Sequence, residues 1–440
     1  MTFRRSGVIE RVGGDELDPA QDEIVSGPWN FTGGLKERGV TVPTSLGERL
    51  RRAAARAYKK NSIDLGVMAS PPTITTGTSN QDATLTKSYR TSVEGHGYFY
   101  ISGGIATQGI GGFAPYLGFP VVSTPSGSGG NAGGLPSKNA YQFAVEFMTD
   151  APKVMLRYAS STNVYMVEVD DQPVSATGLA YPSTGGTGYT LLDFTSVGGA
   201  AIRKIRMELS QAPLFDGVYV GPTYTVWKPS DENDVRVAVV GDSIEDGNGS
   251  SLPSAGWSKV AGKLLGWSDV RQVAFAGTGF VNAGSFNTFG AALRVSDAVA
   301  NNPDVLIIAA SQNDDASVAS VPAAALAAFQ AYRAALPNVP IIVLGADAGS
   351  SGPSAGRLSN EAAVLSAFNT WADGNSHFIP VSNAADGSWF TGTGYVGATT
   401  GTGNRDRYGY DASHPNNAGH LVRARRFESA FKRLVLPNIR

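Results

Sequence analysis

The hydrophobic pattern changes period after Lys228-Pro229-Ser230, and no other feature of the 440-residue chain limits its fold so strongly. Beyond that point, short and almost wholly apolar runs lie at 235–240, 272–276, 304–310, 340–345 and 377–381. Between and after them come stretches of helical period near 254–266, 289–301, 320–335, 359–373 and 416–434. A strand that is apolar on both faces must be covered on both. Strand–helix alternation supplies the cover as a parallel sheet between two helical layers. Five such strands predict a flavodoxin-like, doubly wound α/β domain over 231–440.

Ahead of the change, residues 91–230 carry a period of two. Runs such as Tyr141–Phe147, Val154–Tyr158 and Val164–Val169 are broken by Gly, Ser and Asp turns. Ile202–Leu209 alternates apolar and charged residues, which predicts a strand with one wet face. The expected architecture is an all-β jelly roll or sandwich, able to bind carbohydrate or to brace its neighbour. The Gly/Ser stretch 124–134 reads as a loop at its rim, and the Thr/Ser/Pro-rich segment 64–90 as a linker. Residues 1–63 form an N-terminal segment with one helix, predicted over 45–60. Ser45 and Glu48 have capping-box spacing, and Leu46, Leu50, Ala53, Ala57 and Tyr58 make a narrow apolar stripe. That stripe suits docking against the body of the protein, with homo-oligomerisation through residues 1–60 as the sharper reading.

Composition removes several functions. The formal charge is −2, so no global field draws the chain to nucleic acid or to an anionic membrane. With no cysteine there is no thiolate catalysis, disulfide or thiolate metal site. No apolar run reaches the ~18 residues of a membrane span, so no membrane insertion is expected. The opening Met1-Thr2-Phe3-Arg4-Arg5 leads into charged sequence and not into the apolar core of a secretory signal. The glycine-rich, charge-poor style fits an extracellular or virion-associated protein, with the cytoplasm as the alternative.

The chemistry lies at strand ends. Gly241-Asp242-Ser243-Ile244-Glu245 follows the first apolar run, which places Ser243 at the carboxyl edge of the sheet, where ligands of open α/β folds bind. A serine hydroxyl needs an adjacent base. Asp411-Ala412-Ser413-His414-Pro415 offers His414 as that base and Asp411 to orient it. The oxyanion formed by attack needs fixed donors. The Ser243 N–H, the Gly279 N–H in Ala276-Gly277-Thr278-Gly279 and the Asn313 amide in Ser311-Gln312-Asn313-Asp314 all sit at strand carboxyl ends. Asp242 reads as a brace of the turn.

These four blocks, in this order, resemble the SGNH (GDSL-type) hydrolase superfamily over about 233–440. The resemblance implies Ser243 as nucleophile, His414 as base, Asp411 as its partner, and Gly279 with Asn313 in the oxyanion hole. Gly247 matches the glycine that follows the serine block. Ile244 stands for the usual leucine and Ser311 for a glycine. Gly279 is taken over Gly277 on spacing. A β-sandwich ahead of such a domain is similar to carbohydrate esterase family 2 and to phage tail deacetylases, which implies O-acetyl ester cleavage on a cell-surface polysaccharide through an acyl-enzyme. The expected partner is an acylated polysaccharide or another small acyl ester, with no cofactor and no metal.

The loop 386–410 carries Trp389, Phe390, Tyr395, Tyr408 and Tyr410 and runs into the Asp/His pair. Trp389, Tyr408 and Tyr410 are the expected substrate-binding wall, with packing of the loop as the alternative. His420 reads as packing or capping, and His377 and His96 as lone histidines without a site. Two further readings compete: a carbohydrate-binding or structural virion module with a vestigial hydrolase domain, and a lipase or thioesterase on the same residues.

Overall fold

The computed structural model describes residues 2–3, 23–24, 36–37, 40–41, 45–59, 66–91, 97–104, 106–108, 117–120, 142–159, 164–183, 185–210, 214–229, 235–252, 255–267, 269–284, 286–347, 352–397, 402–403 and 405–439. The rim loop 124–134, His96 and most of the N-terminal segment lie outside them.

Five parallel strands form the C-terminal sheet: β1 (Arg236–Gly241), β2 (Asp269–Ala274), β3 (Val305–Ala309), β4 (Ile341–Leu344) and β5 (Ser376–Ile379). Their order is β2-β1-β3-β4-β5, the flavodoxin-like arrangement. Along β1, Val237 and Val239 face one apolar core while Ala238 and Val240 face another, as the pleat requires. One core receives α1 (Leu46–Lys59), α2 (Trp257–Leu265) and, later in the chain, a helix over Asn417–Ala430. The other receives α3 (Ala292–Ala300), α4 (Val321–Ala335) and α5 (Ala355–Trp371). The last helix is α6. Trp257 packs on it with its ring tilted and 5.3 Å from that of Phe427, and Trp267 stands edge to face 5.2 Å from Phe431, just past its end. The structure moves β2 about three residues ahead of its expected start and begins α5 four residues earlier. In α5 the Ser354 hydroxyl caps the helix by accepting the Arg357 N–H at 3.2 Å.

Helix α1 begins where the capping pair places it, with Ser45 Oγ accepting the Glu48 N–H at 3.2 Å. Leu50 and Ala53 enter the core beside α2. Arg49 reaches Asp304 at 2.7 Å and Arg51 the Ile439 carbonyl at 3.1 Å. Asp304 lies just before β3, so α1 docks at the amino ends of the strands.

The residues before the parallel-sheet unit form two antiparallel sheets packed face to face, each of seven strands among the described residues. Val145, Phe147, Ile205, Met207, Leu156 and Phe215 fill the space between them. Two expectations change here. The supposed linker 64–90 supplies strands: Thr73–Gly77 pairs with Thr187–Asp193, and Lys87–Arg90 with Leu214–Val220. Thr73–Gly77 is β-branched but lies at an exposed edge, so no apolar alternation betrays it. The charged face of Arg203–Ser210 is not wet. Glu208 is 2% exposed, and this face lies against α2 and β2. Lys263 pairs with Glu168 across the seam, Asp269 Oδ1 accepts the Gly103 N–H at 2.8 Å, and Arg206 binds Glu146 and Glu208. Burial pushes the Lys259 ammonium in this seam down to about 8.

Among the described residues no helix is long and apolar enough to cross a membrane, and no three His, Asp or Glu side chains group as a metal site.

His420 of α6 is wholly buried. Its Nδ1 accepts the Trp257 N–H at 3.2 Å and its Nε2 donates to the Asn248 carbonyl at 3.0 Å, so the neutral ring joins α6 to α2 and to the turn after Ser243. Burial pushes its pKa down to about 3 from an ordinary 6.5. The unfolded chain therefore binds a proton near pH 6.5 that the native state refuses. The stability due to this group is full above that pH and falls by a few kcal/mol, in order of magnitude, as pH drops towards about 3. His420→Gln should melt lower than wild type at pH 7.5 but with a flatter dependence of Tm on pH between 6.5 and 4. Parallel slopes in thermal melts would refute the assignment.

Candidate active site

Strand β1 ends at Gly241, and the chain turns at once. Asp246 N–H returns to Asp242 O at 3.0 Å and Asn248 N–H to Ser243 O at 2.9 Å, so Ser243 begins a single helical turn. The Ile244 N–H is taken by Asp242 Oδ1 at 2.8 Å, which fixes the turn from within. Gly247 follows at φ 87° and Gly249 at φ 88°. At Gly249 a Cβ would lie 2.1 Å from Pro415 O, so only glycine lets this loop close on the segment that carries His414.

His414 meets Ser243 there. His414 Nε2 lies 3.0 Å from Ser243 Oγ. Nδ1 lies 2.9 and 3.1 Å from the two Asp411 oxygens. Asp411 Oδ1 also accepts the N–H groups of Ser413 and His414, each at 2.7 Å. Burial alone would raise the Asp411 carboxyl, but the hydrogen bonds from His414 and the two amides outweigh it and hold the group below its ordinary value. An ionised Asp411 puts the imidazole proton on Nδ1, which leaves Nε2 to accept from the Ser243 hydroxyl. The His414 loop is closed by Tyr410 N–H to His414 O at 2.8 Å, and Asn416 caps α6 by accepting the Gly419 N–H at 2.9 Å.

Asn313 stands beyond β3. Its Nδ2 approaches Thr278 O at 3.0 Å, Ser311 Oγ at 2.9 Å and Asp242 Oδ2 at 3.3 Å. Ser311, where the family pattern carries glycine, is buried, and its Oγ donates to Asp242 Oδ2 at 2.6 Å. The hydroxyl thus satisfies a carboxylate next to Ser243, which sequence reasoning missed. Burial pushes the Asp242 carboxyl up, against its hydrogen bonds to Ser311 and Ile244.

Gly279 does not present the donor expected of it. Its N–H is given to Asn282 O at 2.7 Å, and a Cβ there would lie 2.4 Å from both Asp314 carboxylate oxygens. Gly277, two residues earlier at φ 76°, makes no hydrogen bond from its N–H among the described residues, and neither does Ser243. The spacing of Gly-Thr-Gly does not reveal which glycine the downstream turn consumes. Trp389 is also corrected: it is 2% exposed and part of the core, with its N–H given to Val381 O. Tyr408 is half-buried against the same core. Tyr410 is 60% exposed. The Val396 N–H to Gly409 O bond at 3.0 Å brings the exposed Tyr395 and Val396 alongside its segment. His377 is half-buried on β5 and outside this constellation.

A serine bonded to an imidazole, the imidazole to a carboxylate, and free N–H groups at neighbouring strand ends are the parts needed to form and discharge an acyl-serine. No family model matches the chain, and no curated protein matches it. Solved structures do. A salicylyl-acyltransferase, SsfX3, from a tetracycline biosynthetic pathway superposes with a TM-score of 0.58 at 16% identity, over 82% of this chain and 100% of that one. The chain has the SGNH-hydrolase fold. A family two carbohydrate esterase from Cellvibrio japonicus gives 0.54 at 11% identity over 84% of this chain and 100% of that one. An acetyl xylan esterase, Est2A, from the rumen bacterium Butyrivibrio proteoclasticus gives 0.51 at 14% over 79% and 97%. The SGNH fold with its added β domain thus spans both units of the chain.

Asp314 joins the glycine block to the asparagine block, since its carboxylate accepts the N–H groups of Phe280 at 2.6 Å, Val281 at 3.2 Å and Asn282 at 2.9 Å. Asp314→Ala should free these three amides, raise their hydrogen-exchange rates at least tenfold and cost about 1–3 kcal/mol. Unchanged exchange would show that the loop holds itself.

Proposed function

We propose that the protein is a serine esterase that works through an acyl-enzyme. The observation that carries the reading is the unbroken line Asp411–His414–Ser243, with 2.9 and 3.0 Å between its members, at the carboxyl edge of the sheet. In the reading, Ser243 Oγ attacks the ester carbonyl as His414 Nε2 takes its proton. Asp411 stabilises the imidazolium, which then protonates the departing alkoxide. The N–H groups of Ser243 and Gly277 face the developing oxyanion, with the Asn313 amide as third donor after it releases one of its present acceptors. Water, activated by His414, ends the cycle. The complete chain of hydrogen bonds weighs against a vestigial site.

The substrate in this reading is an O-acyl polysaccharide, with acetyl as the group removed. Two points support it. The pair Asp411 and His414 is partly exposed, with side chains 44% and 22% accessible, as a site reached by a bulky polymer must be. Tyr410, Tyr395 and Val396 give it an exposed apolar rim, and such rims mark ligand grooves. Attachment to a virion through residues 1–60, with the esterase turned to a host glycan, belongs to the same proposal; the docking of α1 away from Ser243 is compatible with it.

Acetate release should be measured from p-nitrophenyl acetate and from O-acetylated bacterial polysaccharides. Ser243→Ala should lose at least a thousandfold in kcat with its circular dichroism intact, and Asp411→Asn about a thousand- to ten-thousandfold. Activity surviving in Ser243→Ala would end the esterase reading. Acyl transfer to an added alcohol in place of water would move the protein from hydrolase to acyltransferase. For the rim, Tyr410→Ala should raise KM on the polysaccharide about two- to tenfold, on the ~0.5–1.5 kcal/mol that an aromatic contact is worth. An unaltered KM would take Tyr410 out of the binding surface.

A further inference from the structure

The peptide unit between Gly241 and Asp242, directly ahead of Ser243, is gripped from both faces of the sheet. Its carbonyl oxygen accepts Arg294 Nη2 at 2.9 Å, and Arg294 stands on α3 in one helical layer. Its N–H is given to Glu245 Oε2 at 3.1 Å. Glu245 Oε1 is held in turn by Arg423 Nη2 at 2.8 Å and Trp257 Nε1 at 3.2 Å, from α6 and α2 in the opposite layer. Arg423 also binds Asp347 beyond β4. Both arginines are 1% exposed.

Arg294 is expensive as a mere filler of space. Its Nε and Nη1 have no hydrogen-bond partner, and its guanidinium lies 4.4 Å from the Phe275 ring centre and 5.4 Å from that of Phe289. Burial pushes its pKa down to about 10, so it remains a cation at neutral pH. A buried cation with one hydrogen bond costs stability that an apolar side chain of similar length would not. The Gly241 carbonyl does not depend on it for satisfaction, because it also accepts the Phe275 N–H at 3.1 Å. What Arg294 adds is a second direction of hold, opposite to that of Glu245.

We propose that Arg294 and the Glu245–Arg423 pair are positioning residues for Ser243, a two-sided clamp that sets the plane of the Gly241–Asp242 peptide. With that plane fixed, the single turn that follows aims the Ser243 N–H at the oxyanion and Oγ at His414. The inference rests on the serine-esterase reading, and touches neither substrate nor reacting atoms directly. A misplacement of about 1 Å in such a site lowers rate by up to about a hundredfold.

The test uses full-length Arg294→Met, Arg294→Lys and Glu245→Gln. Reactive serine is titrated with a fluorophosphonate, and kcat on p-nitrophenyl acetate is expressed per titrated serine. Arg294→Met should titrate fully and melt no lower than wild type, yet lose about ten- to a hundredfold in kcat with KM changed less than about twofold. Arg294→Lys should recover most of that loss. Glu245→Gln keeps an acceptor for the Asp242 N–H but turns an amide NH2 towards the Arg423 and Trp257 donors, and should fall in kcat in the same way; it carries the test if Arg294→Met does not fold. Wild-type kcat per titrated serine in the folded variants overturns the clamp. So does a lower titrated fraction with unchanged kcat per site, which is the mark of a structural role. A wild-type serine that does not react with the fluorophosphonate would remove the esterase reading and the clamp together, an outcome distinct from a loss confined to the variants.

Discussion

One hydrogen bond of 3.0 Å joins Ser243 to His414 across 171 residues of sequence, and the parallel-sheet unit is organised around keeping its two ends in register. One end hangs from β1, the strand between β2 and β3. The other hangs from the short loop before α6. Nothing local binds them. Three contacts bring α6 to the serine turn: His420 to Asn248, Asn417 to Ser251 and Arg423 to Glu245. The aromatic stack of Trp257, Trp267, Phe427 and Phe431 then presses α6 onto α2. Polar contacts set direction and the rings supply most of the adhesion, since buried aromatic area dominates the energetics of such cores.

The turn around the serine is unusually rich in buried charge. Asp242, Glu245 and Asp246 are all less than 5% exposed, in a stretch of five residues. Acids in such a place oppose a negative charge forming at Ser243 unless they are neutralised or paired. Ser311 and Ile244 bond one, Arg423 and Trp257 another, and Arg294 acts on the turn from the other side. The identity of residue 311 gains meaning in this setting: a glycine would leave Asp242 Oδ2 with the distant Asn313 amide at 3.3 Å as its remaining bond.

Much of this was readable in the chain. Wholly apolar runs announced a sheet buried on both faces, and the blocks around Ser243 and Asn313 stood at the ends of those runs, with the His414 block just ahead of the last helical stretch. Other features were hidden because they depend on what packs where. An apolar–charged alternation reads identically whether its charges meet water or the charges of another unit, so Glu208 gave no sign of the seam. Thr73–Gly77 takes its partner from 112 to 120 residues further along the chain and carries no core face of its own. Trp389 lies close in sequence to the Asp/His pair but closer in space to the core. As donors, Gly277 and Gly279 are told apart by whether Asn282 has already taken the N–H, which is a fact about a turn and not about composition.

The seam between the two units has an effect on the outer side of β2. That strand is the edge of the parallel sheet, six residues long, with Asp269 and Arg271 among its apolar positions. An uncovered edge of that kind offers its backbone to any passing strand. Here the sandwich lies beside it, with Gly103 donating into Asp269 and Lys263 closing onto Glu168. The β domain therefore acts as an edge guard as well as a brace: a C-terminal half severed from it would keep its Ser243–His414 pair and yet be the more prone to pair edge to edge with its own copies.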